Sequence, residues 1–189
     1  MMPASGSRAL RRPLGRLAIL RLLGMFVLLV LAATLTVLTG CTDTDLQEAE
    51  LLQQRETQLS GFAAQAESWG EDIVGQISNA EIDRDTGNLG GVRPVGGDFD
   101  GWPRLCFWDR SVELRLDGPR TPTEVADALE PWLRDQGWMR RLDLEFPPTS
   151  TRFERDYVRD GFHLAVEVYT EPPPMAQTIA FTIVSPSTS

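Results

Sequence analysis

Lysine is absent from the 189 residues, histidine occurs once, at His163, and cysteine occurs twice, at Cys41 and Cys106. Each shortage removes a class of chemistry. Without lysine, the glycine-rich stretch near the middle of the chain cannot work as a phosphate-binding loop of the usual kind. One histidine leaves no paired metal-ligand motif, and no Gly-x-Ser-x-Gly nucleophile elbow is present. The only nucleophilic arrangement left to the sequence is a Cys106/His163 pair. Acids are missing from residues 1–40, where the charged residues are Arg8, Arg11, Arg12, Arg16 and Arg21.

That one-signed start gives way to an uncharged run over residues 22–38, closed by Leu38, Thr39, Gly40 and Cys41. A basic segment, an apolar segment and small residues form the grammar of a signal peptide, with the positive flank retained inside and the remainder exported. An uncleaved membrane anchor is the other reading, since 17 apolar residues reach the lower edge of what spans a bilayer. The closing tetrad resembles the lipobox of bacterial lipoproteins. That resemblance implies recognition of Leu38, Thr39 and Gly40 by a signal peptidase, cleavage before Cys41, a diacylglyceryl thioether on its sulfur and an acyl chain on its new amino terminus. Two or more chains anchor stably where one is marginal.

All 27 acids but only 13 of the 18 arginines lie beyond Gly40, for a net charge near −14 on the exported part. Such a balance excludes a nucleic-acid partner, which needs a basic patch, and it tolerates divalent cations. Asp83 and Asp85 precede Gly87, and alternate carboxylates before a glycine suggest a weak calcium loop, although the spacing is not that of an EF-hand. An acidic surface turn is the simpler reading. Lipidation of Cys41 would leave Cys106 without a partner in the chain, and its setting in Leu105-Cys106-Phe107-Trp108 suggests a buried thiol.

Periodicity predicts an α+β domain. The exported part opens on a cap at Asp43-Thr44-Asp45 and a long amphipathic helix carrying Leu46, Leu52, Leu59, Phe62, Ala66, Trp69, Ile73 and Ile77. Six glycines make residues 79–102 a loop. A strand follows on Val112, Leu114 and Leu116. Thr121-Pro122-Thr123-Glu124 is a capping box that starts a second helix, which Pro131 should kink or split. Further strands are expected at 138–146, with Leu142, Leu144 and Phe146 on one face, and at 152–158. Asp160-Gly161 then makes a hairpin turn into Phe162, Leu164, Val166 and Val168, with His163 on the solvent side, and a last strand carries Ile179, Phe181 and Ile183.

These elements imply helices on one face of a mostly antiparallel sheet of about four to five strands. The expected organisation is a signal peptide over 1–40, an anchor and helical spacer over 41–58, a domain over 59–184 and a disordered tail over 185–189. Of the five tryptophans, Trp69, Trp132 and Trp138 are assigned to the core, while Trp102 and Trp108 stay open between core and ligand platform.

The order of elements, together with Cys41, Cys106, Gly137-Trp138, Arg155-Asp156-Tyr157 and Gly161-Phe162, resembles the LppA-type lipoproteins of actinobacteria over most of the exported part. That resemblance implies an envelope lipoprotein on the outer face of the cytoplasmic membrane and carries over no catalytic residue. A non-enzymatic binding or assembly module acting on another envelope protein is the expected role. A carrier of a hydrophobic ligand or glycan and a Cys/His hydrolase are the rivals.

Overall fold

The computed structural model describes residues 15–96 and 101–188, with side chains from Asp45 onward. The chain divides into two compact units, Met1–Leu52 and Gln53–Ser189. Helix α1, Gly15–Val74, supplies the described backbone of the first unit and enters the second. Asp43-Thr44-Asp45 falls inside this helix rather than at its start. The preceding segment is rich in leucine and alanine, which propagate a helix and give the cap no terminus to act on.

In the second unit, α1 docks through the buried Leu59, Ala66, Ile73 and Val74, with Ile77 just past its end; the partly buried Phe62 and Trp69 fall between them, so that Leu59, Phe62, Ala66, Trp69 and Ile73 follow at three- and four-residue steps. Three and four residues carry a helix about one turn, so these side chains share a face. Helix α2, Pro122–Asp135, lies on the same side of the sheet. Its capping box forms as the sequence predicts: Glu124 N–H donates to Thr121 Oγ1 at 3.3 Å, and Thr121 N–H donates to Glu124 Oε2 at 2.7 Å. Pro131 sits within one continuous helix and does not split it. Val125, Ala126, Leu129 and Leu133 form the buried stripe.

The sheet has seven strands, all antiparallel: β1 Ile82–Asp85, β2 Gly91–Pro94, β3 Arg104–Leu114, β4 Met139–Arg140, β5 Arg152–Arg159, β6 Phe162–Tyr169 and β7 Gln177–Val184. The order is β1-β3-β7-β6-β5-β4, with β2 sharing the outer edge of β3 with β1. The α+β architecture is therefore as the sequence implies, with more strands. Both extra strands come from the glycine-rich segment, where β1 and β2 pair with β3 instead of forming a loop.

Strand β3 also begins earlier and ends sooner than its alternation suggested. Cys106, Trp108, Val112 and Leu114 are buried in register, but Arg110 interrupts the apolar series and hides the first half of the strand. Leu116 lies past the end and is exposed: Arg115 N–H still donates to Glu81 O, and Gly118 N–H then bonds back to Arg115 O in the turn that ends the strand.

Two other expectations are corrected. The stretch 138–146 forms a strand over only Met139 and Arg140; Leu144 N–H then bonds back to Arg141 O, and Pro147-Pro148 follows. Ion pairs Arg140–Glu145 and Arg141–Asp143 accompany this curl, leaving Leu142 and Phe146 each 71% exposed. The carboxyl-terminal segment does not fray: Ser185 N–H and Thr188 N–H donate to Cys106 O and Arg104 O, and Thr188 is buried. These bonds extend the edge between β7 and β3 beyond the last ladder residue.

The Asp160-Gly161 turn joins β5 to β6 as expected, with φ of 51° and 81° at its two residues. Positive φ at both central positions is what a two-residue hairpin with the right twist requires, and Asp-Gly supplies it at low cost. The turn pairs Arg159 with Phe162, and so fixes which residues of the two strands share each face.

Candidate functional site

Leu38, Thr39, Gly40 and Cys41 lie outside the residues whose side chains are described. Among the described ones, no helix is long and apolar enough to cross a membrane. Of the two loop carboxylates, Asp85 is engaged on both oxygens by Arg110, with Nε 2.9 Å from Oδ1 and NH2 2.5 Å from Oδ2, and Oδ1 also accepts from Gly87 N–H. The Arg110 guanidinium beside it holds the Asp85 carboxyl below its ordinary range. Asp83 sits at the irregularity of β1. No group of three side chains able to hold a metal gathers among the described residues.

The Cys106/His163 pair does not form. Cys106 shares the helix-covered face of β3 with Trp108, whereas His163 occupies the opposite face of β6, in register with Val184 and, through it, with Phe107. Burial pushes the Cys106 thiol up, away from the thiolate, so it matches the inert side chain expected. Trp108 and Trp138 are buried in the core, and Trp69 meets Trp138 and Phe162 edge-on at 5.3 and 5.0 Å. Aromatic rings thus pack edge-on between α1 and the sheet, within a largely aliphatic core. Trp102 stands outside this cluster, under the guanidiniums of Arg104 and Arg55 at 4.8 and 5.7 Å.

What the sequence reading missed is on the open face of the sheet. Asp156 points away from the helices, its pairing partner being Ala165 and its diagonal neighbour His163. It is 1% exposed, and its Oδ1 lies 2.6 Å from His163 Nε2, a nitrogen on a half-exposed ring. The two atoms are not aligned as a hydrogen bond, and neither Asp156 Oδ2 nor His163 Nε2 has a hydrogen-bond partner among the described residues. Glu154 lies two residues back on the same face, its carboxyl raised above the ordinary range by burial and then by the neighbouring charges of Asp156 and Glu167.

Asp156, His163 and Glu154 line a groove of about 590 Å³ whose opposite wall is the curled segment after β4, through Met139, Leu144 and Phe146. A smaller hollow of about 230 Å³ continues along Phe146, Pro147 and Phe153. Apolar wall and carboxylate floor together form an amphiphilic cleft, with a few converging polar groups set in an apolar surround. Its signal was present in the sequence. Once Asp160-Gly161 is taken as a two-residue turn, counting back places Val158 opposite His163, and so Asp156 on the same face one step away.

No protein-family model, curated protein or solved structure matches this chain.

Proposed function

We propose that this protein is a lipid-anchored component of the cell envelope, held on the outer face of the cytoplasmic membrane through Cys41, whose α+β domain binds another envelope protein without catalysing a reaction. The basic start, apolar run and Leu38-Thr39-Gly40-Cys41 close support the anchor. The observation that carries the binding role is the exposed apolar stretch formed by β4 and the segment after it: Met139, Leu142, Leu144 and Phe146 all stand in solvent. Exposed apolar side chains gathered in one patch mark a surface that another molecule covers. The packing of Trp69, Trp108 and Trp138 into the core weighs against the rival carrier role, and the separation of Cys106 from His163 weighs against the hydrolase.

The test is site-specific photocrosslinking in intact cells, with a photoreactive residue at position 146 and, separately, at Glu48 on the exposed part of α1. A discrete protein adduct from position 146 that is absent from position 48 supports the reading. Adducts only to lipid, or none from either site, count against it.

A further inference from the structure

The groove beside Asp156 lets the partner's chemistry be named, on the premise that the domain is a protein-binding module. The open sheet face is dominated by acids. Along it stand Asp109 and Glu113 of β3, Glu154 and Asp156 of β5 and Glu167 of β6. Arg152 answers two of them, reaching Glu167 at 2.9 Å and Glu154 at 3.5 Å. The other arginines around the groove are already engaged, Arg141 with Asp143 and Arg159 with Asp160 and the face of Trp69.

Asp156 stands apart from the rest of this surface. A buried carboxylate oxygen without a donor is destabilising; Asp156 Oδ2 is in that position among the described residues, and Asp156 belongs to the lining of a cleft open to the outside. Its other oxygen faces His163, whose ring is 37% exposed and lies over the hairpin next to the turn. A group that satisfied Oδ2 would be a donor, preferably a charged one, and would carry apolar surface to lie against Met139, Leu144 and Phe146. A lysine or arginine side chain next to an apolar residue meets both conditions, since its stem packs on apolar surface and its head carries the charge.

We infer that this groove receives a lysine or arginine side chain from an extended segment of the partner protein, the cationic head seated at Asp156 Oδ2 and a neighbouring apolar residue against Phe146. The His163 ring is the movable cover, swinging aside as the cation enters. This chain has no lysine of its own, so a lysine seated there comes from another molecule.

The experiment uses the full chain in detergent micelles and takes advantage of its single histidine, which gives one imidazole signal. The His163 Cε1–H resonance is followed while acetyl-Phe-Lys-Leu-amide is added, then its norleucine counterpart, then n-hexylamine. A saturable shift with the lysine peptide, and binding at least tenfold weaker for norleucine, is the expected result; tenfold corresponds to about 1.4 kcal/mol. Asp156→Asn, checked for an unchanged circular dichroism spectrum, should weaken the lysine peptide by a similar factor.

Equal shifts from both peptides would leave an apolar cleft with no cation site and overturn the inference. So would the absence of any saturable shift up to roughly 10 mM, where even a Kd of about 1 mM registers. Hexylamine binding as tightly as the peptide would overturn it in favour of a free amine. If Asp156→Asn does not fold, the lysine-to-norleucine contrast on the unaltered chain decides alone. A crosslink from position 146 combined with no lysine preference would reject the groove and leave the binding reading intact.

Discussion

Gly70 of α1 lies against the indole of Trp108, so closely that a Cβ placed there would stand 2.4 Å from Cε2 of the ring. That approach lets the helix settle onto β3 over a fully buried tryptophan. In an unpacked helix, replacing glycine by alanine is worth about 1 kcal/mol in favour of alanine. At Gly70 the sign reverses, because the indole is buried in the core and has nowhere to retreat; overpacking of this kind costs about 1–3 kcal/mol. Gly61, nine residues earlier in the same helix, has nothing within 4 Å of its Cβ position. We expect Gly70→Ala to lower the melting temperature and shift tryptophan emission, and Gly61→Ala to raise the melting temperature slightly. Two changes of the same sign would refute the packing argument.

Glu81 and Arg120 tie the end of α1 to the start of α2. Arg120 donates through Nε at 2.7 Å and NH2 at 2.6 Å to the two carboxylate oxygens, and Ser78 N–H donates to Oε2 at 3.2 Å. The hydrogen bonds from Arg120 hold the Glu81 carboxyl below its ordinary range against the opposing effect of burial. Between the folded and unfolded pKa values the unfolded chain binds the extra proton. The stabilisation is therefore complete above the ordinary carboxylate range and is lost as pH falls through the folded value. Glu81→Gln should cost about 1–3 kcal/mol at neutral pH and flatten the acid limb of a stability-against-pH curve measured by urea unfolding. An unchanged acid limb would assign it to other carboxylates.

Legibility in the sequence followed how local each interaction is. The capping box at Thr121, the Asp160-Gly161 turn and the apolar faces of β6 and β7 depend on residues within one element or one turn of each other, and all were readable. The central position of β7, between β3 and β6, depends on pairing Val112 with Ile179 across the chain, and no local pattern encodes it. Glycine spacing suggested a loop over 79–102 because β1 and β2 are short edge pieces stabilised by β3 rather than by their own composition. Arg110 broke the alternation of β3 for a reason visible only in three dimensions: it reaches Glu71 on α1 and Asp85 on β1 together. At the groove, the alternation of β6 alone puts His163 on the open face, whereas Asp156 joins it only through the register that the Asp160-Gly161 turn imposes on β5 and β6.

His163 Nε2 lies 2.6 Å from Oδ1 of the buried Asp156, so the two should be energetically coupled. His163→Ala leaves the carboxylate without its contact and should cost about 1–3 kcal/mol. Asp156→Asn alters the other side of the same contact, and the double variant should be less destabilised than the two single changes predict. Contacting pairs show couplings of about 0.5–3 kcal/mol in such cycles. Additivity within about 0.3 kcal/mol would mean that the 2.6 Å approach carries no energy.

The anchor makes a prediction in which its two readings part company. If Cys41 is lipidated and the leader removed before it, the protein on the membrane carries two or more acyl chains, which hold where a single chain would exchange. Cys41→Ala then loses both the thioether and the cleavage that depends on it. The variant should no longer label with radioactive palmitate and should accumulate at the mass of the uncleaved 21.0 kDa chain. An uncleaved membrane helix over the apolar run gives a different result, since residues 22–38 do not involve the sulfur. In that case wild type and Cys41→Ala share the full mass, neither labels, and both stay with the membrane fraction. The mass of the wild-type protein alone therefore separates the readings, and palmitate labelling of wild type against Cys41→Ala identifies the residue that carries the lipid.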